Sequence, residues 1–145
     1  KHRANSTMER WTGKVAVLTG ASGGLGHAIT RTLVAHGILV VGFGRNYEKL
    51  ENLAEELNHS KGKLYPFKVD MRNETEIISA FHWVEEHLGP INVLINNAGV
   101  SFRTRVLDGD IEKWRQMFDV NVFALGICCR EAVKSMNRHK VKDAQ

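Results

Sequence analysis

The sequence is poor in cysteine and proline, and it lacks long apolar runs. Its 145 residues include two cysteines and two prolines, and no apolar stretch approaches the ~20 residues that a membrane-spanning helix needs. Cys128 and Cys129 are adjacent and poorly placed to bridge each other, which favours a reducing compartment, so we expect a cytoplasmic protein. No His or Asp motif supports either thiol as a nucleophile or metal ligand, so core packing is favoured and no metal site is predicted.

Clusters of like charge are also missing. The formal net charge is +4, with 20 basic and 16 acidic residues, and Lys1 and Arg3 belong to a polar leader, KHRANST, at residues 1–7. Without those two, 18 basic residues face 16 acidic ones, a net of +2, and the charges are interleaved. The pattern predicts no binding to nucleic acid or to an anionic membrane. The leader lacks the features of a secretory signal, so we expect a disordered expression scar or translated upstream sequence.

From Lys14 onward, short apolar runs alternate with helical spacing. Four runs rich in Val, Ile, Leu and aromatic residues are typical of strands, at 14–19, 38–43, 63–69 and 91–96. Between them, apolar residues at intervals of three or four predict helices, and Asn73 with Glu76 resembles a capping box for the third helix. Strand-helix-strand units need right-handed crossovers, which build a parallel sheet with helices on both faces. The sequence therefore predicts an α/β fold.

The position of Pro66 predicts the order of the strands. Proline cannot donate to a strand ladder, so it belongs on an edge strand, and the third strand is that edge in a doubly wound, Rossmann-type sheet of order 3-2-1-4. The fourth strand then needs a neighbour, but no fifth strand follows. Residues 110–136 instead predict a helix whose stretch VNVFALGICC is apolar nearly all round. We therefore expect the sheet of residues 8–145 to be truncated before its fifth strand.

The stretch TGASGGLG at 19–26 follows the first predicted strand and opens the first helix. In such a turn, bare backbone lets N–H groups approach a phosphate that a Cβ would hold away. Gly20, Gly24 and Gly26 have the spacing G-x-x-x-G-x-G. A tight turn without a ligand would also use these glycines, but their place after the first strand of a βαβ unit favours dinucleotide binding.

Four motifs occur in the order and context of one family: TGASGGLG at 19–26, VDM at 69–71, NNAG at 96–99 and DVNV at 119–122. The span from residue 8 to about residue 138 resembles the N-terminal portion of the short-chain dehydrogenase/reductases, and its glycine spacing resembles their compact branch. MERW, VVGFGR and ICCREAVKSM are further similar to a cytosolic group of the family that includes insect farnesol dehydrogenases. The resemblance implies a single Rossmann domain, of which residues 8–145 are the N-terminal part, with a nicotinamide cofactor and hydride transfer between an alcohol and a carbonyl. We also expect a homo-oligomer when the protein is complete.

The resemblance also implies which residues contact the cofactor. Asp70 is expected to meet the adenine amino group, although an Asp at this position could instead cap the next helix. Likewise, NNAG alone could be only a turn after a strand. The residues expected around the cofactor phosphates, adenine and ribose are Gly20, Ser22, Gly23, Gly24, Leu25, Gly26, Asp70, Met71, Asn97, Ala98, Gly99 and Val120.

The end of the second predicted strand bears on the choice between NAD and NADP. NAD-binding folds place an acidic side chain there, on the ribose 2′-hydroxyl, whereas a 2′-phosphate needs room and positive charge. This chain has Gly44, Arg45 and Asn46 instead. Arg45 could merely be a solvated loop residue, but it can also bind a phosphate with two hydrogen bonds. We therefore expect NADP.

The resemblance assigns a catalytic role to Asn121, which would hold a water in a proton relay toward the catalytic lysine. In the sequence Asn121 lies among Val120, Val122 and Phe123, where a buried amide must find partners. A purely structural Asn, satisfied by backbone groups, is the alternative, and both roles are compatible.

The family's catalytic Ser and Tyr-x-x-x-Lys are absent from this chain, whose Tyr47 and Tyr65 are followed at the fourth position by Glu51 and Val69. We therefore expect an N-terminal fragment of an NADP-dependent oxidoreductase acting on a small-molecule alcohol or carbonyl, with the fragment itself inactive. Two alternatives stay open. One is a dinucleotide-binding module without turnover, and the other is a non-binding remnant that associates with full-length relatives through its last helix.

Overall fold

A computed structural model of the chain describes residues 8–145, so the expectation for residues 1–7 lies outside the described part. Its four strands form one parallel sheet in the order β3-β2-β1-β4. This confirms the predicted doubly wound α/β sheet. The strands are β1 (Val15–Thr19), β2 (Leu39–Gly44), β3 (Lys63–Lys68) and β4 (Ile91–Ile95).

Helices cover both faces of the sheet because successive residues of a strand point to opposite sides. In β1, Ala16 and Leu18 pack in one buried cluster and Val15 and Val17 in the other. The first cluster lies under α1 and α2, and the second lies under α3 and α5. The helices are α1 (Gly24–Ala35), α2 (Tyr47–Glu56), α3 (Glu74–Leu88), α4 (Ile111–Phe118) and α5 (Leu125–Arg138), with a π-helical segment, Asp119–Ala124, between the last two.

The two edges of the sheet differ. Pro66 lies in β3, which pairs with β2 on one side and has no strand neighbour on the other within residues 8–145, as its missing N–H predicts. At the opposite edge, the backbone N–H of Gln145 donates to the Asn92 carbonyl at 3.0 Å, and the Leu94 N–H donates to the Gln145 carbonyl at 2.8 Å. This is the hydrogen-bond pattern of parallel pairing, so Gln145 lies along the far side of β4.

The segment predicted as one helix over 110–136 is interrupted by the π-helical segment. Its sheet side is buried, with Val120, Ala124, Cys128 and Ala132 in the core. The opposite side stays open in the described structure, since Phe123 is 59% exposed. Burial raises the pKa of the Cys128 thiol to about 12, and both cysteines are free, which agrees with a packing role for Cys128. Among the helices described, none is both long enough and apolar enough to cross a bilayer.

The start of α3 holds the predicted capping pair, with a changed partner. The Asn73 side-chain oxygen accepts from the Glu76 N–H at 3.2 Å, which caps the helix. In a capping box, the Glu side chain would bond to the N–H of the cap residue itself. Here the Glu76 carboxylate accepts from the Asn73 side-chain amide at 3.0 Å and from the Asp70 N–H at 2.8 Å. Glu76 therefore fixes the backbone of Asp70 at the end of β3.

The packing under β2 gives a stability prediction. Leu50 is fully buried, and Leu107 is 99% exposed in the loop after β4. Leu50→Ala should cost about 2–5 kcal/mol of unfolding free energy, whereas Leu107→Ala should change it by no more than about 0.5 kcal/mol. Equilibrium urea unfolding of both variants measures the difference, and equal losses would show that the cluster under α1 and α2 is not packed as described.

Candidate functional site

Three glycines of the β1–α1 turn meet different surroundings. Gly20 has φ +69°, and a Cβ there would lie 2.8 Å from the Ala98 Cα, so this position requires glycine. A Cβ on Gly26 would lie 2.2 Å from the Gly20 carbonyl oxygen, so Gly26 allows α1 to pack against the turn. A Cβ on Gly24 would meet no atom within 4 Å. The backbone of Gly24 is therefore exposed to open space, and packing does not require glycine at this position.

The N-terminus of α1 is open to an anion. The first N–H groups of a helix have no partner within the helix. Gly23 at the N-cap offers no side chain to satisfy them, and the first turn contains no acidic residue. Because a helix N-terminus carries partial positive charge, this end of α1 suits a phosphate.

A hydrogen-bond clamp joins the ends of β1 and β4. The buried Thr19 hydroxyl accepts from the N–H groups of Asn97 and Ala98 at 3.1 and 3.0 Å. The Asn97 side-chain amide donates to the carbonyls of Thr19 and Gly20 at 3.1 and 3.2 Å. The side chain of Asn97 therefore holds the turn in place. Sequence reasoning missed Thr19, whose signal was a hydroxyl at the end of a buried strand, where it needs a partner.

A cleft of about 400 Å³ opens at the carboxyl ends of the strands, where open α/β sheets bind ligands. All of the residues expected around a cofactor line it, with the single exception of Asn46: Gly20, Ser22, Gly23, Gly24, Leu25, Gly26, Gly44, Arg45, Asp70, Met71, Asn97, Ala98, Gly99 and Val120. Five stretches of the chain, separated in sequence, thus come together in one cleft.

The end of β2 is shaped by Gly44 and followed by two exposed residues. A Cβ on Gly44 would lie 2.7 Å from the Ser22 hydroxyl oxygen, so glycine lets the β1–α1 turn lie against β2. Asn46 caps α2 by accepting from the Lys49 N–H at 3.0 Å. It borders a neighbouring hollow, together with Arg45 and with Lys68 of β3. Sequence reasoning missed Lys68, whose positive charge borders this hollow together with the negative charge of Glu48.

Asp70 contacts Arg72, a residue that sequence reasoning also missed. The Arg72 guanidinium donates to both Asp70 carboxylate oxygens, with Nη2 to Oδ2 at 2.6 Å. These hydrogen bonds lower the pKa of Asp70 to about 2, and the positive charge of Arg45 contributes. The alternative of Asp70 as a helix cap is not seen, because Asn73 caps α3. Val69 and Val100 also line the cleft without having been predicted.

Asn121 lies in the π-helical segment and faces the loop after β4. Its side-chain oxygen accepts from the Val100 N–H at 2.9 Å, and its amide donates to the Val100 carbonyl at 2.8 Å. The expectation of a buried amide is wrong, because Asn121 is exposed, as are Val122 and Phe123 on the outer side of the helix. Its partners are backbone groups, as the structural alternative required, and they fix Val100 at the cleft.

The polar residues that could act as an acid or base are sparse at the cleft. Neither Tyr47 nor Tyr65 lines it. Ser135 is buried and accepts from the Ile91 N–H at 3.3 Å, which is a packing role. Within residues 8–145, no group of three or more His, Cys, Asp or Glu side chains is placed to hold a metal ion.

Comparisons with known proteins identify the family to which the chain is similar. The family model for short chain dehydrogenases matches residues 14–142. The chain is 47% identical over 138 residues to Dehydrogenase/reductase SDR family member 11 of Gallus gallus, covering 94% of this chain and 54% of the relative. It is 43% identical over 136 residues to Farnesol dehydrogenase of Aedes aegypti, covering 92% and 56%.

A solved structure shares the fold. The crystal structure of a metagenomic short-chain oxidoreductase in complex with NADP superposes with a TM-score of 0.84 at 32% identity, covering 90% of this chain and 59% of that one. The chain thus spans about half the length of the curated relatives that it matches. The glycine-rich turn, the strand order and the family match lead to one conclusion: this chain belongs to the short-chain dehydrogenase family.

Proposed function

We propose that this chain forms the cofactor site of an NADP-dependent oxidoreductase that interconverts an alcohol and a carbonyl. The observation that carries the proposal is the β1–α1 turn, in which Gly20 and Gly26 are required by packing while Gly24 is bare toward the cleft. When bound, the cofactor would accept or supply the hydride. The residues of this chain would bind and orient it.

The turn fits the pyrophosphate of a dinucleotide. A phosphate at the N-terminus of α1 would receive backbone N–H donors and the partial positive charge of the helix. Gly24 lets it approach without contact to a Cβ. Asn97 would act indirectly, by holding the turn in place, because its side-chain amide donates to the carbonyls of Thr19 and Gly20. Asn121 would hold Val100 and, through it, the wall of the cleft.

The charges at the ends of β2 and β3 support a preference for NADP over NAD. Gly44 occupies the place where an acidic residue would bind the 2′-hydroxyl of NAD. Arg45 is exposed, and within the described residues it forms no salt bridge that would occupy its guanidinium. Lys68 borders the same hollow. A related solved structure holds NADP, and another, from Thermococcus sibiricus, holds 5-hydroxy-NADP.

The substrate of the whole protein is proposed to be a small alcohol or carbonyl compound, and the Aedes relative, named Farnesol dehydrogenase, supports an isoprenoid alcohol. A dinucleotide-binding module without turnover is the second candidate. Homo-oligomer formation and a cytoplasmic location stay predictions.

The role of Gly24 can be tested without disturbing the fold. In the full-length protein, Gly24→Val should weaken NADPH binding by at least about tenfold, because the side chain occupies the place of the phosphate. Gly126→Val is the matched control, since a Cβ on Gly126 also meets no atom within 4 Å and lies outside the cleft. Titration by fluorescence and thermal unfolding measure both. Unchanged NADPH affinity in Gly24→Val would contradict the proposed phosphate site. Gly20→Val is a weaker test, because a loss of binding could result from the steric clash with Ala98.

The proposed preference for NADP depends on Arg45. Arg45→Asp places a carboxylate where the 2′-phosphate is proposed to lie, and it should weaken NADPH binding by at least about tenfold while NADH binding is kept or improved. Dissociation constants for both cofactors, measured at one ionic strength, provide the comparison. Equal affinities of the unmodified protein for NADPH and NADH would contradict the preference.

The 145-residue chain alone is predicted to perform no carbonyl reduction. Without the tyrosine the reaction lacks its proton donor, which costs on the order of 10² to 10⁴-fold in rate even with cofactor bound. NADPH oxidation with a panel of ketones and isoprenoid aldehydes tests this prediction. Turnover by the isolated chain would contradict it, and cofactor binding without turnover by the full-length protein would favour the module instead.

A further inference from the structure

Arg72 and Arg45 approach one region of the cleft from different loops. Arg45 follows β2, and Arg72 lies between β3 and α3. Both line the main cleft, and both also border an adjoining cavity of about 420 Å³, whose lining contains no carboxylate. The two arginines therefore line the same space, at the side of the cleft that the ends of β2 and β3 form.

The same side of the cleft contains a negative charge. Asp70 is the one carboxylate that lines the main cleft within the described part of the chain. The contact with Arg72 lowers the pKa of Asp70 to about 2, so this carboxylate is ionised at neutral pH and places a negative charge at the cleft. An unbalanced carboxylate beside a 2′-phosphate would repel it.

Arg72 balances this charge with a two-pronged contact. Its backbone N–H and Nε each donate to Asp70 Oδ1 at 3.0 Å, Nε also approaches Oδ2 at 3.2 Å, and Nη2 donates to Oδ2 at 2.6 Å. Each carboxylate oxygen of Asp70 therefore receives two donor contacts from Arg72, one for each of its lone pairs. The Asp70 N–H donates to the Glu76 carboxylate, which fixes the backbone of Asp70 and with it the position of the Asp70 carboxylate.

We propose that Arg72 is a second determinant of cofactor choice, which acts by neutralising Asp70 so that the positive charge of Arg45 stays available to a 2′-phosphate. This inference rests on the proposed function, since it presupposes a dinucleotide in the cleft. Arg72 is a positioning residue here: its effect on the cofactor passes through the charge of Asp70. The effect should appear in the ratio of the two affinities, because NADH and NADPH differ only in the 2′-phosphate and any change in the contact between Asp70 and the adenine would affect both.

The test is a double-mutant cycle on the full-length protein with Arg72→Met, Asp70→Asn and the two combined. Methionine keeps most of the length of the side chain and removes the charge. The quantity measured is the ratio of the dissociation constants of NADH and NADPH, obtained by fluorescence titration at low and at high salt. Arg31→Met is the matched control, because Arg31 also pairs with a carboxylate, that of Glu56, but lies outside the cleft. Thermal unfolding of each variant reports whether it is folded.

Arg72→Met should lower the preference for NADPH by about tenfold, the effect of one unbalanced charge at short range in a partly solvated site. Asp70→Asn alone should keep or raise the preference, and adding it to Arg72→Met should restore most of the loss. High salt should reduce the effect of Arg72→Met, and Arg31→Met should leave the ratio unchanged.

Three results would overturn the inference. An unchanged ratio in Arg72→Met, with or without lower stability, would make the Arg72–Asp70 pair purely structural. A loss that Asp70→Asn fails to restore would show that Arg72 does not act through Asp70. If Arg72→Met does not fold, a fall in the ratio in Asp70→Asn alone would contradict the neutralising role. Equal binding of NADH and NADPH by the unmodified protein would instead contradict the proposed NADP preference itself.

Discussion

The backbone-to-backbone approach of Gly20 and Ala98 is the constraint on which the rest of the cleft depends. A Cβ on Gly20 would lie only 2.8 Å from the Ala98 Cα, so no side chain fits there. The positive φ of Gly20 turns the chain out of β1 toward α1. The Thr19 hydroxyl and the Asn97 amide hold the two strand ends at this distance. As a result, the N-terminus of α1 faces the cleft with its N–H groups uncapped.

The cleft has two sides of different chemistry. The β1–α1 side offers backbone groups and glycines, which suit a phosphate by close approach. The side formed by the ends of β2 and β3 offers charged side chains. Asp70 is bound to Arg72, and Arg45 forms no salt bridge with any residue between 8 and 145. The first side would recognise any dinucleotide, whereas the second would distinguish a 2′-phosphate from a 2′-hydroxyl. Binding and specificity are therefore assigned to different strands of the same sheet.

Local patterns predicted the fold well because each depends on one segment. Apolar runs gave the strands, Pro66 placed β3 at the edge, and the glycine spacing located the turn. The sequence could not show that the Glu76 carboxylate accepts from the Asp70 N–H, or that Arg72 binds both oxygens of the Asp70 carboxylate. Such pairs depend on the conformation of the loop between β3 and α3. The prediction that Asn121 is buried was wrong for a related reason. Apolar neighbours suggested burial, but the side of the helix that carries them is not covered within the described residues.

A crystal structure of the full-length protein grown with NADP⁺ tests the central claim most directly. We expect the pyrophosphate oxygens within about 3.2 Å of backbone N–H groups at the start of α1, next to Gly24, with the 2′-phosphate beside Arg45. A pyrophosphate bound away from the β1–α1 turn, or a 2′-phosphate directed away from Arg45, would contradict it.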